Sequence, residues 1–172
     1  MKMRAMVGVL GLFLALGAPS LASADPAPGC KTANARYEMM GTPGFTAGFL
    51  PQPKRQEWPT NVAFFVRSAQ SGKTFWFLFD AGTARYVSLI STTDVTAPNW
   101  TPPDPDGGSR PLRDMNYLAT DAALKFSLDL PRADAPAPAY VLLPDLAETL
   151  WYGQRDGAKE DAPTAFFKRV GC

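Results

Sequence analysis

The sequence predicts a mainly β, single-domain protein: an antiparallel β-sandwich or a curved, barrel-like sheet with a central meander and one short helix. Three observations carry this. Proline (17) and phenylalanine (11) are abundant while charged residues make up only 19%, which suits short strands with stiff connections better than long helices. Residues 61–90 hold three strand-like runs separated by Gly-containing turns. The middle run, Lys73 to Asp80, is apolar on both faces, with Phe75, Phe77 and Phe79 on one and Trp76 and Leu78 on the other. A strand of that kind needs cover on both sides.

The chain opens with an export signal. Lys2 and Arg4 form a basic n-region, Val7 to Leu16 an apolar core, and Ala22-Ser23-Ala24 a small-x-small cleavage site. The core falls short of the roughly 20 apolar residues of a bilayer span. Residues 1–24 are therefore expected to be removed, leaving residues 25–172 as one domain, periplasmic or secreted, with no membrane span. Removal takes two of the 17 basic residues and none of the 16 acidic ones, so the mature chain carries a formal −1. That balance offers no basic field for nucleic acid.

Residues 31–60 are punctuated by Gly41, Pro43, Gly44, Gly48, Pro51, Pro53 and Pro59, which predicts short irregular strands and turns. Asn61 to Arg67 reads as a strand, Ser71-Gly72 as a turn, Lys73 to Asp80 as the two-faced strand, Ala81-Gly82-Thr83 as a second turn, and Arg85 to Ile90 as a third strand. The Pro-rich stretch that begins at Trp100 reads as a rigid crossing. Beyond it, Leu124 to Leu130 alternates cleanly, which predicts Leu124, Phe126, Leu128 and Leu130 inward and Lys125, Ser127 and Asp129 outward. Pro131 to Ala139 reads as a stiff exposed connection. Tyr140 to Leu143 is a short buried run. Asp145-Leu146-Ala147-Glu148 has capping-box spacing for a helix running to Tyr152 and stopping at Gly153, and Thr164 to Val170 is a last strand.

The two cysteines, Cys30 and Cys172, sit near the mature N-terminus and at the last position. In an oxidising compartment they predict a disulfide tying the domain's ends, worth about 4–5 kcal/mol by chain entropy.

Much chemistry is excluded. The chain has no histidine, so Ser-His-Asp and Cys-His nucleophiles are absent, as are imidazole zinc sites. Gly72-Lys73-Thr74 resembles the end of a P-loop, but Arg67 stands where the first glycine belongs. Asp104-Pro105-Asp106-Gly107 resembles the start of a calcium loop, yet the glycine comes too early and Met115 holds the twelfth position. No metal or cofactor is called for. The remaining catalytic option is a carboxylate-dependent or calcium-assisted hydrolase, which would need a buried acid opposite a second one.

Recognition is the favoured role, with an envelope protein, a glycan or a hydrolase as partner; a purely structural envelope component is the third option. Two surfaces are candidates. One is the crossing, with Trp100 either an exposed anchor or folded back to cover the core, Asp104 and Asp106 beside it, and Arg110 and Arg113 able to bond carboxylates or sugars. The other is the hairpin with Arg85 and Tyr86. Two fragments, GTARYVS (82–88) and LWYGQRDGA (150–158), resemble pieces of bacterial C-type lysozyme inhibitors, small secreted β-barrels with disulfides. The resemblance implies a hydrolase-inhibitor role among the binding options. One mass measurement tests the reading of both termini: the exported protein should start at Asp25 and be two hydrogens lighter than its reduced form, and a mass showing free thiols would remove the disulfide.

Overall fold

The computed structural model describes residues 29–81, 86–153 and 159–172. The proposed export signal lies outside them, as do Arg85 and parts of both GTARYVS and LWYGQRDGA. Among these residues nine strands and one α-helix follow in order: β1 (Arg36–Met39), β2 (Phe45–Pro51), β3 (Val62–Ser68), β4 (Thr74–Asp80), β5 (Val87–Thr92), β6 (Met115–Thr120), β7 (Phe126–Ser127), β8 (Tyr140–Leu142), α1 (Leu146–Tyr152) and β9 (Phe166–Gly171).

Eight of the strands close an antiparallel barrel. The ladder runs β5-β4-β3-β2-β1-β9-β8-β6, and β5 pairs β6 to shut it. Closure leaves the barrel strands without a free edge. β7 is an extra piece, hung on the end of β6 through Ala119↔Ser127 and Thr120↔Phe126.

An eight-strand barrel is just wide enough for side chains to fill, and here they are large. Tyr37, Phe49, Phe64, Phe77, Phe79, Tyr117 and Phe167 are all buried inside. Phe49 meets Phe64 at 5.1 Å between ring centroids, and Phe79 meets Tyr117 at 5.0 Å, both edge to face. The interior is therefore packed core, not a ligand chamber.

The two-faced β4 strand behaves as its pattern requires. Phe75, Phe77 and Phe79 enter the barrel, while Leu78 and Trp76 join a second cluster with Trp58, Ala63, Ile90 and Val95. Trp58 belongs to the Pro-rich loop after β2 and Val95 to the crossing after β5. Those two loops supply the cover that a doubly apolar strand needs.

Three expectations need correction. The segment Leu124 to Leu130 is not an inward-facing strand: Leu124, Phe126 and Leu128 are 57%, 56% and 61% exposed. Its alternation is real, but it pairs for only two residues beyond the barrel's rim, where no second layer covers it. The strand that enters the barrel is β6, whose Met115, Tyr117 and Ala119 point inward. Pro131 to Ala139 is likewise not a free connection. It lies along residues 30–35 as a strap: Thr32 N–H donates to Ala135 O at 2.9 Å and Ala137 N–H to Cys30 O at 2.8 Å. Ala133 and Ala137 pack on the core. Finally, α1 ends at Gly153 as expected, but Asp145 does not cap it with its side chain. The Asp145 carboxylate instead accepts from the Asn116 backbone N–H and Nδ2, tying the helix to β6.

β2 is regular where glycine and proline had suggested irregularity. Gly48 sits inside it because a Cβ there would stand 2.8 Å from the Phe65 ring. Cys30 and Cys172 are bonded across 142 residues. At the opposite end Leu112, Leu143, Leu146, Leu150 and Ala162 close the core.

Phe64→Ala should cost about 3–5 kcal/mol in urea unfolding, because its ring is shared by Phe49, Phe79 and Tyr117. A cost under about 1 kcal/mol would contradict an aromatic-filled barrel.

Candidate functional site

The crossing between β5 and β6 spends its side chains on its own chain. Trp100 is half-buried against the outer cluster, and its indole N–H donates to Thr92 Oγ1 at 3.0 Å. The Arg55 guanidinium stands 5.5 Å from its ring centroid. Asp104 accepts the Asp106 backbone N–H at 2.9 Å, an Asx turn, and Gly108 is needed where a Cβ would fall 2.7 Å from Asp104 N. Arg110 donates to Pro105 O at 2.7 Å and pairs with Asp114 at 3.5 Å. Arg113 donates to Thr149 Oγ1 and pairs with Glu148 at 2.8 Å. That ion pair holds the exposed Glu148 carboxyl below its ordinary range. Trp100, Asp104, Asp106, Arg110 and Arg113 thus form a structured loop that runs from the outer cluster to α1.

A cavity of about 10 Å³ beside Trp100 also borders the buried, unpartnered indole N–H of Trp58. It is large enough for a single water and nothing more. A wider groove of about 650 Å³ opens between the start of β4, the end of β5 and Pro111. Its buried hydroxyls are satisfied: Ser91 donates to Leu112 O at 2.6 Å and accepts from Leu112 N–H at 2.9 Å, and Thr92 Oγ1 accepts the Trp100 indole N–H.

The mouth at the other end of the barrel differs. A cavity of about 570 Å³ opens between β6, the β6–β7 hairpin and the strap. Tyr117, Ala119 and Thr120 form its floor, Phe126, Leu128 and Leu130 one wall, and Ala135 to Pro138 the other. Two hydroxyls of these lining residues, Tyr117 Oη and Thr120 Oγ1, are buried and have no hydrogen-bond partner among the described residues. Buried hydroxyls are nearly always paired, so these two stand out among the residues that line the cavity. Beside them, Tyr37 Oη donates to Pro138 O at 2.9 Å and Arg169 Nη1 to Ala137 O at 2.7 Å.

Burial pushes the Tyr37 phenol well above its ordinary value, with the Arg169 guanidinium pulling modestly the other way. Tyr117 is pushed up by burial and further by Tyr37. Both phenols are therefore neutral hydrogen-bonding groups at physiological pH.

Two carboxylates border the mouth, and both are exposed. Asp121 accepts the Ala123 and Lys125 N–H groups at 2.9 and 3.0 Å, and Asp129 accepts the Ser127 hydroxyl at 3.1 Å. The one buried carboxylate among the described residues, Glu160, accepts the Ser68 hydroxyl at 2.7 Å at the opposite end. No three His, Cys, Asp or Glu side chains gather among the described residues, and no helix there is long and apolar enough to cross a membrane.

Of the candidate binding residues among those described, Tyr86 alone stands at the mouth end: it precedes Val87, the cross-strand partner of Tyr117, and is about half exposed. Tyr117, Thr120, Phe126 and Leu128 were not recognised as site residues. Their signal was available in the alternation of Leu124 to Leu130, which marks an apolar face without saying whether the fold covers it. Comparison with protein families, with curated proteins and with solved structures returned no match to this chain.

Two predictions follow from these contacts. Trp100→Ala should cost about 1–3 kcal/mol through lost packing and the lost Thr92 bond; an unchanged unfolding midpoint would free the indole for another role. The buried phenols stabilise the fold fully below the unfolded tyrosine value of about 10, and that stabilisation is lost as pH rises above it. Ultraviolet titration should show two of the five tyrosines ionising only as the protein unfolds; five phenolates in a folded protein would contradict their burial.

Proposed function

We propose that this protein is an exported β-barrel that acts by binding, and that its ligand seats in the mouth between the β6–β7 hairpin and the strap. The observation that carries the reading is the pair of orphaned hydroxyls, Tyr117 Oη and Thr120 Oγ1, at the floor of an open, mainly apolar cavity. An apolar body with a polar group is the ligand chemistry that fits such a floor. The exposed Leu124, Phe126 and Leu128 extend the apolar surface outward from the cavity, as a surface meant to be covered would. An envelope protein or a hydrolase fits that extent better than a glycan, which would favour a more polar wall. A hydrolase active site is less well supported, because both carboxylates at the mouth are exposed and engaged with their own hairpin. The disulfide is compatible with a periplasmic or secreted location.

The test is a pull-down from native envelope extract with three baits. The wild-type protein and Arg113→Ala, altered at the far end of the barrel, should retain the same partner. A variant with Leu124, Phe126 and Leu128 each changed to Ser should lose it while keeping its melting temperature. Equal capture by all three baits, or loss with Arg113→Ala alone, would move the site away from the mouth.

A further inference from the structure

We infer that the mouth accepts an extended polypeptide segment, which pairs its backbone with the open edge of β7 and lays an apolar side chain into the cavity. The inference rests on the mouth being the binding site, and four observations take it further.

The first is the ladder. Each barrel strand has a neighbour on both sides, whereas β7 is the end of the sheet among the described residues and pairs only β6. Its other edge presents backbone N–H and C=O groups that another strand can take up. A lipid tail could fill the cavity but would leave that edge unused.

The second is register. Thr120 and Phe126 are direct cross-strand partners, so their side chains share a face. The Thr120 hydroxyl without a partner therefore stands beside the exposed Phe126 ring. One segment lying over Phe126 can cover the exposed ring next to the buried Thr120.

The third is strain. Leu124, at the hairpin tip, has φ 62°, the only positive φ outside glycine among the described residues. Glycine would sit there without strain, while a leucine is costly in the left-handed region. A strained leucine that is also more than half exposed gains nothing for the fold, and such outliers gather at functional positions.

The fourth is charge. Lys125 lies between Leu124 and Phe126, and among the described residues no carboxylate forms an ion pair with its ammonium group; Asp121 and Asp129 accept hydrogen bonds within the hairpin. An acidic side chain of the segment therefore fits over Lys125 and not beside Asp121 or Asp129, which keep their charges.

The test selects binders from a random peptide library displayed on phage, using the exported, disulfide-bonded protein as target, with dodecanoate as the rival probe. The inference predicts enriched peptides that combine apolar and acidic residues. Their synthetic versions should lose at least about tenfold in affinity when alternate peptide nitrogens are methylated. They should also lose affinity for Phe126→Ser, and for Lys125→Glu when the peptide is acidic. Peptides indifferent to N-methylation would overturn strand pairing. Saturable dodecanoate binding that Phe126→Ser abolishes, with no peptide enriched, would overturn the polypeptide and leave the mouth as a binding site. If neither probe binds, both readings fall together.

Discussion

The closed ladder around an aromatic interior is the constraint on which the rest of this structure depends. Once β5 pairs β6, the eight strands have no edge left to offer and the barrel has a fixed width. Tyr37, Phe49, Phe64, Phe79 and Tyr117 fill that width with edge-to-face ring contacts. A barrel packed in this way has no chamber for a ligand. Recognition is confined to its ends, its outer face, or pieces of chain that stand outside the ladder.

The two ends are finished differently. At one, α1 and the leucines around it close the core, and Asp145 spends its carboxylate on β6 instead of on its own helix. At the other, the closure is a strap held against residues 30–35, next to the disulfide. Apart from Arg132 and Asp134 the strap is proline and alanine, with little side-chain volume, so it bridges the opening without filling it. The cavity at the mouth is what remains. The same residues leave the Tyr37 phenol a carbonyl partner at Pro138 and give the Tyr117 phenol none.

Much of the fold was legible in the sequence. The meander of β3, β4 and β5, the two-faced character of β4, the helix with its stop at Gly153 and the terminal disulfide all follow from local pattern or cysteine position. β6 was missed because its six residues follow a long proline-rich crossing, and a stronger alternation begins only a few residues later. Alternation records that a segment has an apolar face, while burial depends on whether another layer reaches it. For Leu124, Phe126 and Leu128 none does, since the ladder closes through β5 and β6 and leaves them outside, while Leu130 packs against the core. The site was illegible for the same reason: its hydroxyls belong to the missed strand, and its wall was assigned to the core. For the crossing, the residue types left Trp100 open between an anchor and a cover for the core; its placement against Thr92 and the outer cluster depends on contacts far from its own segment.

The account makes the mouth a place where the fold gives up stability for binding, and one substitution isolates that claim without needing a ligand. Tyr117→Phe keeps the ring in the barrel core and removes only the hydroxyl that lacks a partner. Burying an unpaired hydroxyl costs about 1–3 kcal/mol, so the variant should unfold at a higher urea concentration or temperature than the wild-type protein. A clear loss of stability would mean that the fold itself satisfies the Tyr117 hydroxyl, and it would contradict the mouth as a site waiting for a ligand.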